Sequence, residues 1–502
     1  MSETDSPPSA VSQALASNRL GISQVVFFVL ASIAPLLVTA GLVPSAFAAT
    51  GLTGVPIAFV IVAVVLAVFS IGYVAMARHV TNAGAFYALI TKGLGRPLGV
   101  GGALVALTAY NLLQVAVYGM IGPQLGSYAA DNFGLNASWW VWSLLVWAVV
   151  TTLGLVRVEI SGKLLGVLSS IELLVILALT AKGLTHPAGG HQSFHALSLT
   201  DLTATGLGPL LAIAILGFVG FEQTAVYSEE VRDARRTIPR ATFLTLGGIA
   251  VIYAACSFAL TDYYGGQVVN VAQTQSSSML FALAPGLVAS TARTLFLTSL
   301  FAAALAFHNA CWRYTFSLGR EGVLPSAFGR TRSTGVPRVA SLAQSMIGLA
   351  AIVLTVAAGW DPVNQLFYWA GTTGGFGILI LLAVTSLAVV SYFRRDARDE
   401  SILARRYAPA LAAIALGTMV WLCADNYATL LGVGPTSRAA IWLPSSFAIA
   451  AVIGIGWALI LKAHSPQTYA VIGLGPESAA HRVPVFSPPA NLADTHTSEG
   501  SR

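Results

Sequence analysis

Residues 22–48 read ISQVVFFVLASIAPLLVTAGLVPSAFA, and the interruption in this apolar run decides the fold. As a single helix, at ~1.5 Å per residue, it would reach about 40 Å, more than the ~30 Å that a hydrocarbon core requires. Pro35, Thr39 and Gly41 stand in its middle, with Pro44 further on. Proline removes a backbone donor and clashes with the preceding turn, while glycine adds backbone freedom. A break at mid-membrane strands polar backbone groups in oil unless they line a cavity or bind something. Alone, the segment reads equally well as a proline kink packed against neighbouring helices. A second such segment, at the corresponding place in another half of the chain, separates the two readings.

The composition around it sets the class. Of 502 residues, 56% are apolar and 9% charged, against roughly 25% charged in soluble domains. The chain reads as an all-α polytopic membrane protein with the lipid bilayer as its surroundings. The net charge of +6 does not point to nucleic acid, because lysine and arginine in membrane proteins mark cytoplasmic loops. Cys256, Cys311 and Cys423 are scattered, giving neither a disulfide framework nor a zinc spacing. The N-terminal MSETDSPPSAVSQALASNRLG is polar and acidic, unlike a cleaved signal peptide.

Apolar runs define twelve expected spans, at about 22–48, 53–76, 99–128, 139–156, 163–182, 205–230, 241–262, 291–316, 339–359, 365–393, 408–425 and 441–462. With a cytoplasmic N-terminus, all of the 26 basic residues except Lys182, Arg293 and Arg438 fall on the inner side. A miscounted span would scramble that alternation, so both termini are expected in the cytoplasm. Residues 1–18 and 463–502 are expected as disordered cytosolic tails flanking a twelve-helix membrane domain at 19–462. No extramembrane stretch is long enough for a soluble domain.

A second interrupted segment is present. Around 205–230 the chain reads GLGPLLAIAILGFVGFEQTAVYSEE, with Gly217 and Gly220 flanking Phe218 and Glu222 close behind. It is the sixth span, five after the first. Two five-helix halves of opposite topology follow, at about 22–182 and 205–393, plus two extra helices within 408–462. This 5+5 inverted repeat, with helices 1 and 6 broken, favours a binding site over a kink.

Four further stretches carry a family resemblance. The first helix ends in GLVPSAFAATGLTG and the loop after helix 2 reads RHVTNAGAFYALITKGLGRPLG. Helix 6 continues through FVGFEQTAVYSEEVRDARRTIPRAT, and helix 8 leads into NACWRYTFSLGREGVLPSAFGR. Together, in this order, they resemble the amino acid–polyamine–organocation (APC) permeases over nearly the whole chain. The chain departs from the family pattern where helix 1 unwinds. Leu37-Val38-Thr39-Ala40-Gly41 replaces a run of small residues, and Thr81 and Ala85 stand where Pro and Gly are usual.

The resemblance implies a transported amino acid or amine, whose charges must be solvated at mid-membrane. Half-helix N-termini suit a carboxylate, and unwound carbonyls suit an ammonium or a coupling cation. The expected carboxylate site is the backbone of Val38, Thr39, Ala40 and Gly41, with the ammonium near residues 34–36 and 216–219. Phe218 and Phe221 flank the second break as candidate gates. Tyr110, Gln114 and Tyr118 form a stripe on one face of helix 3, readable as a selectivity surface or as interhelical glue. By resemblance, Phe307 is an aromatic substrate contact.

Ionisable groups inside the membrane are the sharper signal. Glu172 lies in SSIELLVIL of helix 5, where resembling proteins without sodium coupling often carry a lysine. It is expected to carry a coupled proton, with cation (sodium) binding or a structural role as alternatives. Glu222 suits a helix start through the dipole, and by resemblance links helix 6 to its neighbours during opening. His308-Asn309 is a polar pair more typical of packing than of titration. His186, His191 and His195 form an outer-loop run best read without a metal, and no cofactor is expected. The sequence therefore points to a plasma-membrane secondary transporter, not an enzyme, using proton symport, with amine exchange as the second mechanism. A polytopic membrane transferase, the rival of another class, would need a convergent catalytic constellation that the loops lack.

Overall fold

The computed structural model describes residues 20–155, 158–198, 204–276, 278–283, 286–331 and 336–480. The expected tail 1–18 and the last part of the expected C-terminal tail lie outside these residues. Among the described residues there is no β-strand, an isolated bridge joins Leu20 to Val231, and eleven helices are long and apolar enough to cross a membrane.

The first of these is composite. Helix α1 (Ile22–Ile33) gives way to the short α2 (Pro35–Leu37), a π-helical turn at Val38–Leu42, and α3 (Val43–Thr50). Then come α4 (Val55–Ala77), the shorter α5 (Ala85–Leu94) and the 38-residue α6 (Arg96–Phe133). Next are α7 (Trp139–Leu153), α8 (Val158–Thr185) and α9 (Ala204–Leu216), the last followed by a 3₁₀ segment at Phe221–Tyr227. The second half continues with α10 (Ala234–Tyr264), α11 (Val268–Gln275), α12 (Ser278–Phe281), α13 (Leu287–Arg320), α14 (Arg338–Ala357) and α15 (Ala370–Arg395). The chain closes with α16 (Ala408–Asp425), α17 (Tyr427–Leu430), α18 (Ala439–His464), α19 (Pro466–Val471) and α20 (Glu477–Ala480). The expected fourth span corresponds to α7, whose 15 residues would cover only about 22 Å at ~1.5 Å each.

These helices pack as two groups. In one, α4 lies against α10 and α9, and α1 against α10; in the other, α6 packs on α13 and α7, and α14 on α13 and α7. Helix α8 touches α1, α10 and α13, and α15 touches both α4 and α6, so these two bridge the groups. Small residues allow the closest approaches, as expected where lipid leaves no hydrophobic drive between helices. A Cβ on Gly454 of α18 would stand 2.7 Å from the Gly101 Cα of α6.

One boundary differs from expectation. Residues 465–480, assigned from their Ser/Pro/Ala content to a disordered tail, fold back onto the basic end. Composition missed this because the attachment is made by backbone. The Gly473 and Gly475 N–H groups donate to the Glu321 carboxylate at 2.5 and 2.8 Å, beside the Tyr87 hydroxyl and the Asn82 amide. Both glycines have positive φ, 82° and 64°, and a Cβ on Gly475 would lie 2.8 Å from the Thr81 carbonyl oxygen. Burial raises the pKa of Glu321 above the usual carboxylate value, while the Tyr87 and Gly473 hydrogen bonds and Arg320 pull it down. Glu321→Ala would strand both N–H groups at about 1–3 kcal/mol each. Limited proteolysis should then cut between residues 465 and 480 in the variant and spare the parent protein; equal protection would contradict the docking.

Candidate functional site

The first break falls at Ala34, earlier than the expected 37–41. Pro35 has no N–H and crowds the preceding turn, and the residue before a proline is driven from helical φ/ψ. Ala34 accordingly adopts φ 50°, ψ 70°, a left-handed geometry costing a non-glycine residue roughly 1–2 kcal/mol. The helix that restarts at Pro35 exposes N–H groups, and the protein fills one of them itself. Leu36 N–H donates to the Glu172 Oε1 at 2.5 Å, and the Ser299 hydroxyl donates to the same oxygen at 2.8 Å. Glu172 is 1% exposed. A buried carboxylate from α8 thus sits on the start of the second half-helix, joining α1–α2 to α13.

The second break has the same construction. Helix α9 stops at Leu216, and Gly220 takes φ 114° before the 3₁₀ segment begins. Only glycine fits there, since a Cβ would also crowd Ile33 and Ser32 at 3.1–3.2 Å. Glu222 Oε2 accepts the Gly220 N–H at 2.8 Å, and its Oε1 accepts the Tyr110 hydroxyl at 2.7 Å. The Tyr73 hydroxyl donates to the Glu222 carbonyl at 2.6 Å. Across the two breaks, the Ser32 hydroxyl donates to Gln223 Oε1 at 2.8 Å. The interruptions therefore meet, each with its own buried carboxylate.

Beside them lies a cavity of about 140 Å³. Ser32, Ile33, Val38 and Gly41 line it from the first broken helix, and Leu216 and Val219 from the second. Phe307 of α13 and Leu113, Val117 and Met120 of α6 complete much of the wall. Gln124 and Phe296 also border a second, polar recess of about 530 Å³, which carries Asp131 and Arg293. That recess is the neighbour of the cavity at the end opposite Glu321.

The other expected contacts go elsewhere. Thr39 is buried with its hydroxyl on the Pro35 carbonyl at 2.9 Å, and Ala40 is buried beside it; neither lines the cavity. Phe218 packs between Phe59 and Tyr253, and Phe221 sets its edge against Phe69, in a tight apolar layer. Gln114 and Tyr118 turn away into a network inside the α6–α7–α13–α14 group. Gln114 meets Tyr118 and His308 Nδ1 at 3.3 Å each and accepts a bond from Gln344. His308 Nε2 meets the Ser341 hydroxyl at 3.0 Å, and that hydroxyl reaches the Gly154 carbonyl at 3.1 Å. Both histidine nitrogens are thus engaged in joining helices.

Sequence reasoning missed two buried ion pairs between α13 and the segment after the second break. Arg313 holds Glu230 with Nε–Oε1 at 2.6 Å and Nη2–Oε2 at 3.2 Å, its guanidinium lying over the Trp312 and Tyr227 rings. Arg320 holds Glu229 at 2.6 and 2.7 Å, and Glu229 also accepts the Ala83 N–H. Both arginine side chains are fully buried. Their seven-residue spacing places them on one face of α13, opposite consecutive glutamates; that pattern was the available signal. Among the described residues, no group of three or more His, Cys, Asp or Glu side chains could hold a metal ion.

Comparison with known proteins agrees with this architecture. The chain is 25% identical to the low-affinity putrescine importer PlaP of Escherichia coli K12 over 76% of its length and 84% of the relative's. It is 23% identical to the branched-chain amino acid permease BcaP of Lactococcus lactis subsp. cremoris, covering 72% and 79% of the two chains. It is also 23% identical to the aromatic amino acid transport protein AroP of Escherichia coli K12, covering 65% and 72%. The family model described as amino acid permease matches residues 24–468. The chain belongs to the amino acid permease family, within the APC superfamily of multi-pass membrane transporters.

Proposed function

We propose that this protein is a secondary active transporter that moves an amino acid or related amine across the plasma membrane by alternating access, coupled to protons. The observation that carries the reading is the meeting of two interrupted helices beside one central cavity. Twelve spans form two inverted five-helix repeats plus two helices, with the basic end and both termini in the cytoplasm. The packing supports a moving group of α1–α3, α4, α9 and α10 against a frame of α6, α7, α13 and α14, which the Gln114–His308–Ser341 network stiffens.

In this reading the polar recess at Asp131 and Arg293 opens outward, and the Arg313–Glu230 and Arg320–Glu229 pairs close the cytoplasmic side. Substrate settles between the breaks, where backbone groups provide donors and acceptors without a net charge. Glu172 is the coupling group. When ionised it accepts from Leu36 and Ser299, both at Oε1; a proton on Oε2 leaves the two bonds in place but removes the charge that strengthens them. Its charge state therefore biases how the restarted helix sits against α8 and α13. Glu222 transmits movement of the second break to Tyr110 of the frame. Amine exchange is the second mechanism; the relatives' names speak for amine and amino acid substrates in either mechanism.

In proteoliposomes with an imposed inward proton gradient, Glu172→Gln should lose gradient-driven accumulation while keeping exchange of internal for external substrate. Full accumulation by the variant would remove Glu172 from coupling. Removing one partner of a buried ion pair costs about 3–5 kcal/mol, so Glu230→Ala should lower the thermal stability of the purified protein markedly. A variant as stable as the parent would show that the Arg313 pair does not hold this closure.

A further inference from the structure

The relatives divide between a diamine and neutral amino acids, and the cavity distinguishes these chemistries. We propose that this permease selects a neutral amino acid with an apolar side chain of up to about seven carbons and rejects diamines and cationic amino acids, an inference that rests on the transport reading above.

The first argument is charge. Among the described residues, the cavity has no ionised side chain in its wall; its polar side chains are Ser32, Gln124, Ser276, Tyr368 and Thr372. The two acids nearest the breaks are committed elsewhere. Glu172 faces Leu36 N–H and Ser299, and Glu222 faces Gly220 N–H and Tyr110. Neither borders the cavity. A second ammonium on the substrate would be buried against Leu113, Val117 and Phe307 with no counter-charge, a penalty that excludes binding unless the group loses its proton.

The second argument is shape and surface. The wall contributed by α6, α13 and residues 362–369 carries Leu113, Val117, Met120, Phe296, Phe307 and Phe367. An apolar cavity of about 150 Å³ takes a molecule the size of benzene, and this one measures about 140 Å³. That space fits a leucine, methionine or phenylalanine side chain whose α-ammonium and α-carboxylate stay at the breaks. The recess outside offers one acid and one base, Asp131 and Arg293, a pairing suited to a zwitterion on its way in.

Two positions tune the selection. Gly41 borders the cavity, and a Cβ there meets nothing nearer than Leu37 Cδ1 at 3.7 Å, so the Cβ of Gly41→Val enters without a close contact and its methyl groups compete for substrate space. Leu113→Asp would supply the missing counter-charge.

The test is thermal stabilisation of the purified protein, with competition for uptake in proteoliposomes, using leucine, methionine, phenylalanine, alanine, lysine and putrescine as probes. Leucine, methionine or phenylalanine should stabilise and compete, and lysine and putrescine should be weaker by on the order of a hundredfold or more. Gly41→Val should weaken phenylalanine by on the order of tenfold relative to alanine, and Leu113→Asp should narrow the gap between lysine and leucine. If putrescine or lysine binds as well as leucine, the selectivity inference is overturned while transport stands. If no probe stabilises the protein or enters the vesicles, the transport reading itself fails. Should either variant not fold, the parent's ranking of leucine against putrescine decides alone.

Discussion

Backbone polarity in oil is the constraint on which this structure depends. A helix interrupted within the hydrocarbon core exposes N–H and C=O groups that lipid cannot satisfy, and each unsatisfied group costs several kcal/mol. The chain tolerates two such interruptions because each is joined to a buried carboxylate. Glu172 receives Leu36 N–H at the first, and Glu222 receives Gly220 N–H at the second. These acids arrive from different helices but do equivalent work. They neutralise the start of a new backbone segment and attach it to a neighbour, Ser299 of α13 in one case and Tyr110 of α6 in the other. Much of the remaining backbone at the breaks closes local turns, with the Ala34 carbonyl accepting the Val38 N–H and the N–H groups of Gly217, Phe218 and Val219 each bonding three residues back.

The same logic explains the contrast between the two ends. Buried arginine–glutamate pairs rarely add net stability over apolar packing, because desolvation offsets much of the attraction. They do, however, define a closed arrangement that is well satisfied only when α13 and the segment after the second break are in register. In the transport reading proposed above, such pairs suit a closure that opens. The C-terminal glycines on Glu321 thicken that end further, whereas the opposite end keeps an open polar recess.

Most of the architecture was legible in the chain because hydropathy and charge alternation report directly on membrane insertion. The two breaks were legible too, through Pro35 and through Gly217 and Gly220. Their fine positions were not. The residues 37–41 looked like the unwound point because they stand where the resembling family carries its small-residue run, yet the break falls at Ala34 beside Pro35, and the later residues stay wound as a π turn. Gln114 and Tyr118 looked like site residues because a polar stripe in an apolar helix has two uses; only packing reveals that Gln114 meets His308 and Gln344 and that the Tyr118 hydroxyl meets Gln114 itself. The ion pairs were hidden because an arginine at the end of a span first reads as a topology marker, and burial is invisible in sequence. The docking of residues 465–480 rests on backbone donors, which carry no compositional signature.

The most direct test of the central claim, that the paired breaks form one substrate site, is an experimental structure of the protein in lipid with bound leucine. The account predicts ligand density in the cavity between Ile33–Val38 and Leu216–Val219, with the chain broken at Ala34 and Gly220. Density confined to the recess at Asp131 and Arg293, or a continuous helix through Ala34, would contradict it.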